Sequence, residues 1–406
     1  MKCEKVSLFD LACWKNGLAF KNIQFADKGK PIIKIAELKN GITTQTRFTE
    51  QVFDDNVSLK KGDMLFSWSG NPETSIDVYW YELPDGWLNQ HIFKVTPKEF
   101  IDKFYLYYLL KSFKKVFTNI ASNKQTTGLG HVTVKDLKEI FVNLPDLSYQ
   151  RLIGEYLNKI DEKIRINNRI NDNLLKQAQI LFKRWFIDNP DIALWKEGTF
   201  SELIERIIGG DWGKESPSGN HTEMVYCIRG ADIPDVRNGN KGKMPTRYIL
   251  PKNYDSKHLI NGDIVVEISG GSPTQSTGRA AAISTALLNR YYKGMICTNF
   301  CKAIKPKVGY SMYVYHYWQY LYNKDIFFSY ENGTTGIKNL DINGFIETEP
   351  ISIAPASLVN KFDNFCQFVF SSVYANGLEN EQLSLLRDTL LTKLISGEID
   401  VSDIQL

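Results

Sequence analysis

The chain has 406 residues, of which 43% are apolar and 23% are charged, and its 49 Lys and Arg against 46 Asp and Glu give a net charge of +3. This composition excludes collagen-like and intrinsically disordered chains and predicts two or three folded domains of about 150 residues each. Because the two signs of charge nearly cancel, a surface that binds a polyanion must arise from local clustering of basic residues.

The N-terminus and the cysteines predict a cytoplasmic protein. The start of the chain lacks the apolar stretch of a signal peptide, and no segment approaches the roughly 18 uncharged apolar residues that cross a bilayer. The six cysteines are scattered without a C-x-x-C spacing. Neither a disulfide framework nor a metal site is therefore expected.

The first 145 residues are predicted to form a mixed α/β domain. Short β-rich runs, bounded by Gly, Asn and Pro, alternate with a helical stretch over residues 101–117. The β-rich runs are 31–38, 63–68 and 87–95.

Residues 146–187 are predicted to form one long helix. No proline interrupts residues 148–186, and a helix of that length would extend about 58 Å. Apolar residues recur at alternating spacings of four and three, as in the seam of a coiled coil. The seam positions are Ile153, Leu157, Ile160, Ile164, Asn167, Asn171, Leu174, Ala178, Leu181 and Trp185. The seam is thus apolar at both ends and carries two asparagines at its centre.

Residues 188–355 are predicted to form a second mixed α/β domain, with β-rich runs at 225–230 and 263–268 and a helical stretch over 312–322. The final segment, 356–406, is predicted to contain a second long helix over 359–396. Its seam positions are Phe362, Phe365, Val369, Ser372, Asn376, Asn380, Leu383, Leu386, Leu390 and Leu394. Gly377 predicts a kink in this helix, because glycine costs about 1 kcal/mol relative to alanine in a helix.

The asparagines predict how the two long helices pair. Asn376 and Asn380 follow Asn167 and Asn171 by 209 residues. Polar residues in a seam select register and orientation, because they are satisfied only when they meet one another. We therefore expect an antiparallel coiled coil that separates two similar domains with pseudo-twofold symmetry. The alternative is that each long helix packs only on its own domain.

Ordered matches between the two halves of the chain indicate an internal repeat. Gly62-Asp63 matches Gly262-Asp263, and Thr46-Arg47 matches Thr246-Arg247. The offset between matched residues rises from 195 to 210 along the chain, as loop insertions in the second copy would produce. One such insertion falls within Arg237–Lys243.

Two segments resemble a known family. Residues 144–154 (LPDLSYQRLIG), followed by Asp161–Ile164, Asn167–Asn171 and Phe182–Phe186, resemble the central conserved region of type I restriction-modification specificity subunits. Residues 386–399 (LRDTLLTKLISGEI) resemble the distal conserved region of the same family.

The resemblance implies an architecture of two α/β target recognition domains and a pair of long helices. Each domain would read one half of a bipartite, asymmetric target in double-stranded DNA, with the helix pair setting the spacer. The chain itself would be non-catalytic and would hold no cofactor. Its partners would be two modification subunits, which use S-adenosylmethionine to methylate adenine, and restriction subunits that use ATP and Mg²⁺.

Two other functions are left open by the residues. Pro145-Asp146 followed by Asp161-Glu162-Lys163 mimics the carboxylate spacing of a stand-alone Mg²⁺-dependent endonuclease. The heptad pattern, however, predicts that Asp161 faces outward on a helix, about 22 Å from Asp146. A two-headed protein-binding scaffold is the other alternative.

Candidate DNA contacts are chosen by residue type and loop position, since Arg, Lys, Asn and Gln read base edges and basic residues bind phosphates. In the first domain they are Gln45, Arg47, Ser69, Asn71, Lys124 and Gln125. In the second they are Arg237, Asn240, Lys241, Lys243, Arg247, Gln275, Arg279 and Thr334. Arg47 and Arg247 are interpreted as equivalent positions, and the insertion at Arg237–Lys243 is interpreted as specific to one half-site.

Overall fold

A computed structural model describes residues 4–20, 23–125, 128–272, 275–333 and 337–399. The chain divides into two compact units. Unit 1 consists of Met1–Glu162 with Ser384–Leu406, and unit 2 consists of Lys163–Leu383. Both divisions fall inside the long helices. The domain limits predicted from the sequence follow the helix ends instead and remain a prediction.

The strands of unit 1 are short, and its helices lie mainly after the last strand of its central sheet. The strands are β1 (Glu4–Ser7), β2 (Ala12–Asn16), β3 (Lys30–Ile33), β4 (Phe48–Thr49), β5 (Ser58–Leu59), β6 (Met64–Ser67), β7 (Ser69–Gly70), β8 (Asp77–Trp80), β9 (Gly86–Leu88), β10 (Ile92–Pro97), β11 (Gly130–His131) and β12 (Phe141–Leu144). The helices are α1 (Ile35–Asn40), α2 (Pro72–Ser75), α3 (Lys103–Ser112), α4 (Lys114–Asn123), α5 (Val134–Glu139) and α6 (Leu147–Phe182), the last of which continues into unit 2.

Unit 2 repeats this series of elements. Its strands are β13 (Lys196–Thr199), β14 (Ile204–Gly209), β15 (Glu223–Ile228), β16 (Thr246–Ile249), β17 (Ile264–Glu267), β18 (Ser269–Gly270), β19 (Ala280–Ala282), β20 (Met295–Cys297), β21 (Cys301–Pro306), β22 (Glu331–Asn332), β23 (Lys338–Leu340) and β24 (Pro350–Ile353). Its helices are α7 (Ile233–Arg237), α8 (Pro251–Lys257), α9 (Thr285–Leu288), α10 (Ser311–Tyr322), α11 (Ile342–Thr348) and α12 (Ala356–Ile395), which ends in unit 1.

The sheet topology confirms the predicted internal repeat. In unit 1 an antiparallel sheet has the order β2-β10-β6-β8, and in unit 2 the corresponding sheet has the order β14-β21-β17-β19. A second sheet contains one parallel pair in each unit, β3 with β9 and β15 with β20. The first and last strands of each unit also pair, β1 with β12 and β13 with β24. Two copies of one mixed α/β fold therefore make up the chain.

The core of each unit lies between its antiparallel sheet and its helices. In unit 1, Phe66 on β6, Leu106 on α3 and Phe117 on α4 are fully buried together. In unit 2, Trp318 on α10 and Phe345 on α11 fill the corresponding space. Parts of the long helices belong to the same cores. None of the helices in the described part of the chain has the length and apolar character needed to span a bilayer.

Two predicted elements differ from the structure at their boundaries. The predicted helical stretch 101–117 is two helices, α3 and α4, which meet at Phe113. The predicted β-rich run 31–38 is a strand that gives way to α1, because the Glu37 carboxylate accepts a hydrogen bond from the Lys34 N–H at 3.0 Å and caps a helix there.

The long helices are antiparallel in unit 2, as predicted. The Asn167 amide donates to the Asn380 amide oxygen at 3.0 Å, and the Asn376 amide donates to Asn171 at 2.8 Å. The later of the two α6 asparagines therefore meets the earlier of the two α12 asparagines, as in an antiparallel pair. Asn167, Asn171 and Asn380 are at most 6% exposed, so these hydrogen bonds form away from water.

In unit 1, Ile153 and Leu157 of α6 share a core cluster with Leu394 of α12, as an antiparallel pair of helices would produce. The predicted seam fails in two places. Phe182 and Phe186 are fully buried, whereas Leu181 and Trp185, which were placed in the seam, are only half-buried. Leu386 of α12, also placed in the seam, is 45% exposed.

The helix α12 continues through Gly377, where the sequence predicted a kink. The structure gives another reason for glycine. A Cβ atom at this position would lie 1.9 Å from the Gly239 carbonyl oxygen. The loop after α7 therefore contacts the helix backbone directly, and only glycine permits this approach.

We expect Asn171→Ala to lower the free energy of unfolding by about 2 kcal/mol, because it removes a buried amide that pairs with Asn376 and with backbone carbonyls. Asn173→Ala is the control, since Asn173 is exposed on the same helix. Denaturant unfolding measures both. Equal, small effects of the two substitutions would contradict a stabilising role for the buried amides.

We expect Gly377→Ala to destabilise the protein, although alanine is the better helix former by about 1 kcal/mol. The new methyl group would force the Gly239 carbonyl away from α12. Ser371→Ala at an exposed position of α12 should show only the small gain of helix propensity. A higher thermal midpoint for Gly377→Ala would contradict the contact.

Candidate DNA-binding surfaces

In unit 1 the structure brings together two of the three predicted segments. Ser69 lies on β7, which pairs with β11, and Asn71 caps α2, which packs on α4. Lys124 and Gln125 follow the C-terminal end of α4. Gln45 and Arg47 lie in a separate loop before β4.

The predicted residues of unit 1 differ in what they contact. Gln45, Asn71 and Gln125 are exposed. Arg47 is also exposed, with its guanidinium 4.5 Å above the Phe25 ring.

Lys124, in contrast, is paired with a carboxylate. Its ammonium group donates to both carboxylate oxygens of Asp136, at 2.5 and 2.7 Å. Burial raises the pKa of the Asp136 carboxyl, but the hydrogen bonds from Lys124 and Thr133 outweigh burial and hold the pKa below its usual value. The charge of Lys124 is therefore largely neutralised within the unit.

The insertion Arg237–Lys243 of unit 2 lies against the long helices. Gly239 contacts Gly377, and the Arg290 guanidinium donates to the Gly239 carbonyl at 2.7 Å. Lys241 lies 5.0 Å from the Tyr291 ring centre and 3.9 Å from a Glu381 carboxylate oxygen. Much of this loop thus serves packing within unit 2.

The other predicted residues of the insertion differ in their exposure. Arg237 lines a small pocket with the buried His316, and Asn240 is half-buried. Lys243 is exposed, and its N–H donates to Asp232 at 3.0 Å.

Arg247 and Arg279 are held by carboxylates of unit 2. Arg247 is only 8% exposed, lies 3.7 Å from the centre of the Trp212 ring and pairs with Glu215 at 3.0 Å. Arg279 donates to both oxygens of the buried Glu267, at 2.7 and 2.5 Å. Gln275 is exposed, and Thr334 lies outside the described residues.

The interpretation of Arg47 and Arg247 as equivalent residues is wrong by two positions. In unit 1 the Ile32 N–H donates to the Arg47 carbonyl at 2.9 Å. At the same place in unit 2 the Cys227 N–H donates to the Pro245 carbonyl at 3.0 Å. By the sheet register, the position in unit 2 that is equivalent to Arg47 is Pro245. The hydrogen bonds between strands define equivalent positions more reliably than the identity of single residues does.

Sequence reasoning missed a groove of about 520 Å³ in unit 2. Its lining includes two partly exposed aromatic residues, Phe300 (63% exposed) and Trp212 (37% exposed), beside Arg229 and Asn299. Glu267 also lines it, and the bidentate pairing with Arg279 neutralises that carboxylate. A single aromatic residue in a strand-rich sequence usually belongs to the core, so no pattern marked these as surface residues.

The expectation that Asp161 faces solvent is wrong. Its carboxylate accepts hydrogen bonds from the Tyr108 hydroxyl and the Arg387 guanidinium, both at 2.7 Å and both within unit 1. Burial and the neighbouring carboxylate raise the pKa of Tyr108. In the described part of the chain, no group of three or more His, Cys, Asp or Glu residues could hold a metal ion. Asp161 thus joins α6 to α3 and α12 within unit 1.

Comparisons with known proteins agree on one family. Residues 2–176 match the model of the type I restriction modification DNA specificity domain. The chain is 25% identical over 342 residues to the type I restriction enzyme MjaIX specificity subunit of Methanocaldococcus jannaschii, covering 78% of this chain and 73% of that protein. It is 29% identical over 414 residues to the HindI specificity subunit of Haemophilus influenzae, covering 84% and 87%.

A solved structure has the same fold. The S subunit of a type I restriction-modification system from M. genitalium aligns with a TM-score of 0.54 at 16% identity, covering 97% of this chain and 96% of that one.

The chain has a duplicated α/β fold with paired long helices, and it is similar to the family of type I restriction-modification specificity subunits. Specificity subunits of this family are not catalytic and hold no cofactor of their own.

We expect Asp161→Ala to lower the free energy of unfolding by about 1 to 2 kcal/mol, because it leaves Arg387 and Tyr108 without a shared partner. Asp172→Ala, at an exposed position of α6, should have little effect. Thermal unfolding measures both variants. A nuclease would show the opposite pattern, with unchanged stability and loss of Mg²⁺-dependent cleavage by the isolated chain.

Proposed function

We propose that this chain selects the DNA target of a type I restriction-modification complex. Residues 1–145 and 188–355 act as the two target recognition domains, and the helices within 146–187 and 356–406 set the spacer between the half-sites. The observation that carries the proposal is the duplicated fold, whose two copies share their sheet order and differ in their surface side chains. Two similar but diverged readers suit a target with two different half-sites.

The proposed DNA contacts are the predicted residues that remain exposed. In unit 1 these are Gln45, Arg47, Asn71 and Gln125, and in unit 2 they are Lys243 and Gln275. Three of the other predicted residues support the surface by neutralising carboxylates. Lys124, Arg247 and Arg279 each hold a carboxylate, and an unpaired carboxylate at the surface would repel phosphate.

The proposed partners are two modification subunits, which would supply S-adenosylmethionine and the methylation chemistry, and restriction subunits, which would supply ATP hydrolysis and Mg²⁺. Two large apolar side chains on the helices of unit 2 are candidates for contacts in this assembly. Ile180 is 67% exposed and Phe368 is 71% exposed. A reducing cytoplasmic location fits the cysteines, since Cys13, Cys227, Cys297, Cys301 and Cys366 are unpaired.

We expect the complex of this chain with its modification subunits to bind duplex DNA with an affinity that falls steeply as salt increases, because phosphate contacts release counterions. Arg47→Ala should weaken binding several-fold. It should also reduce the slope of log affinity against log salt concentration by about one, the contribution of one phosphate contact. Lys61→Ala removes the same charge at a position that is 73% exposed and paired with Glu82, and it should leave binding unchanged. Electrophoretic mobility shifts over a salt series provide the measurement.

Sequencing the methylated bases of cells with and without this chain identifies the target. A bipartite methylated motif that appears only with the chain supports the proposal. Failure of the folded chain to assemble with folded modification subunits, or assembly without salt-dependent DNA binding, would favour a protein-binding scaffold instead.

A further inference from the structure

The two units carry one short turn in the same structural place. In unit 1 it spans residues 89–92, where the Ile92 N–H donates to the Asn89 carbonyl at 3.2 Å. The Asn89 N–H donates to Ile33 at 3.1 Å, which ties the turn to the end of β3. The Trp68 N–H then donates to the His91 carbonyl at 3.3 Å.

Unit 2 repeats each of these hydrogen bonds in residues 298–301. The Cys301 N–H donates to Thr298 at 2.9 Å, and the Thr298 N–H donates to Ile228 at the end of β15 at 3.0 Å. The Ile268 N–H donates to the Phe300 carbonyl at 2.9 Å. The backbones of turn 89–92 and turn 298–301 are therefore equivalent.

The central side chains of the two turns are different. Turn 89–92 presents Gln90 and His91, whereas turn 298–301 presents Asn299 and Phe300. Gln90 is half-exposed and the other three are exposed, and the residues at the ends of both turns are buried. The ends thus fix the turn to the core and leave the central positions free to vary.

Phe300 is placed to contact a ligand. A phenylalanine that is 63% exposed forgoes much of the free energy of burial, about 1.5 to 3 kcal/mol for a whole side chain. Its ring lies at the groove of unit 2 together with Trp212 and Arg229. Arg229 pairs with Asp232, and Arg279 pairs with Glu267, so the carboxylates at this groove are neutralised and do not repel a polyanion.

The two side chains match the chemistry of one base pair. In the major groove an asparagine amide can form two hydrogen bonds with adenine, and an aromatic ring can contact the thymine methyl group. Building on the proposed function, we infer that turn 298–301 recognises an A·T pair in one half-site through Asn299 and Phe300, and that turn 89–92 reads the other half-site through Gln90 and His91.

The test uses the complete complex with its modification subunits and a duplex that carries the methylated motif. Each thymine of both half-sites is replaced in turn by deoxyuridine, which lacks only the methyl group. We expect the wild-type complex to lose roughly three- to fivefold in affinity at one position, the equivalent of one buried methyl group. The Phe300→Ala complex should show no loss at that position and should keep its response to changes in the other half-site.

Two controls separate local from general effects. Val308→Ala removes a 98% exposed apolar side chain elsewhere in unit 2 and should behave as wild type. Because Phe300 is largely exposed, Phe300→Ala should retain the wild-type thermal midpoint, and Asn299→Ala should relax selection for adenine at the same pair.

Three outcomes would overturn the inference. The inference is wrong if Phe300→Ala keeps the wild-type response to every deoxyuridine, or if no deoxyuridine changes the affinity of the wild-type complex. It is also wrong if the half-site assigned to unit 2 contains no A·T pair. The proposed function would survive each of these, since it fails only if the assembled complex lacks salt-dependent DNA binding and a methylation motif.

Discussion

The structure of the long helices depends on amide groups buried where the two helices meet. Asn167 and Asn171 of α6 bond Asn380 and Asn376 of α12. A buried amide without a partner costs about 1 to 3 kcal/mol, so the antiparallel register that pairs these amides is favoured over shifted ones. The loop after α7 depends on this register as well, because Asn171 donates to the Asn238 carbonyl.

Duplication explains how one fold can serve two recognition tasks. The hydrogen bonds that hold turn 89–92 recur in turn 298–301, with buried residues at both ends. Packing restrains those ends, since a change of even one methylene in a core is felt. The exposed central side chains carry no such restraint. Divergence is therefore concentrated where a ligand would be read, while the sheet order stays the same in both units.

Several basic residues of unit 2 are neutralised by neighbouring carboxylates. Arg247, Arg279 and Lys305 pair with Glu215, Glu267 and Asp263. In the last pair the Asp263 carboxyl is so buried that its pKa is raised despite the neighbouring Lys305. Some basic residues that the sequence predicted as DNA contacts are thus already paired with carboxylates within the unit. We therefore expect neutral side chains such as Asn299 and Phe300 to contribute more to the proposed recognition of DNA.

The sequence by itself determined the repeat, the two long helices and their antiparallel pairing, because spacing along one chain records helical periodicity and matching asparagines record a shared seam. It did not determine the burial of Phe182 and Phe186, the equivalence of Arg47 with Pro245, or the contact between Gly239 and Gly377. Only the tertiary structure decided these, as it decided which arginines are neutralised and that Phe300 lies at the surface. Each of these features depends on contacts between residues that are far apart in the chain, and the local sequence pattern does not predict such contacts.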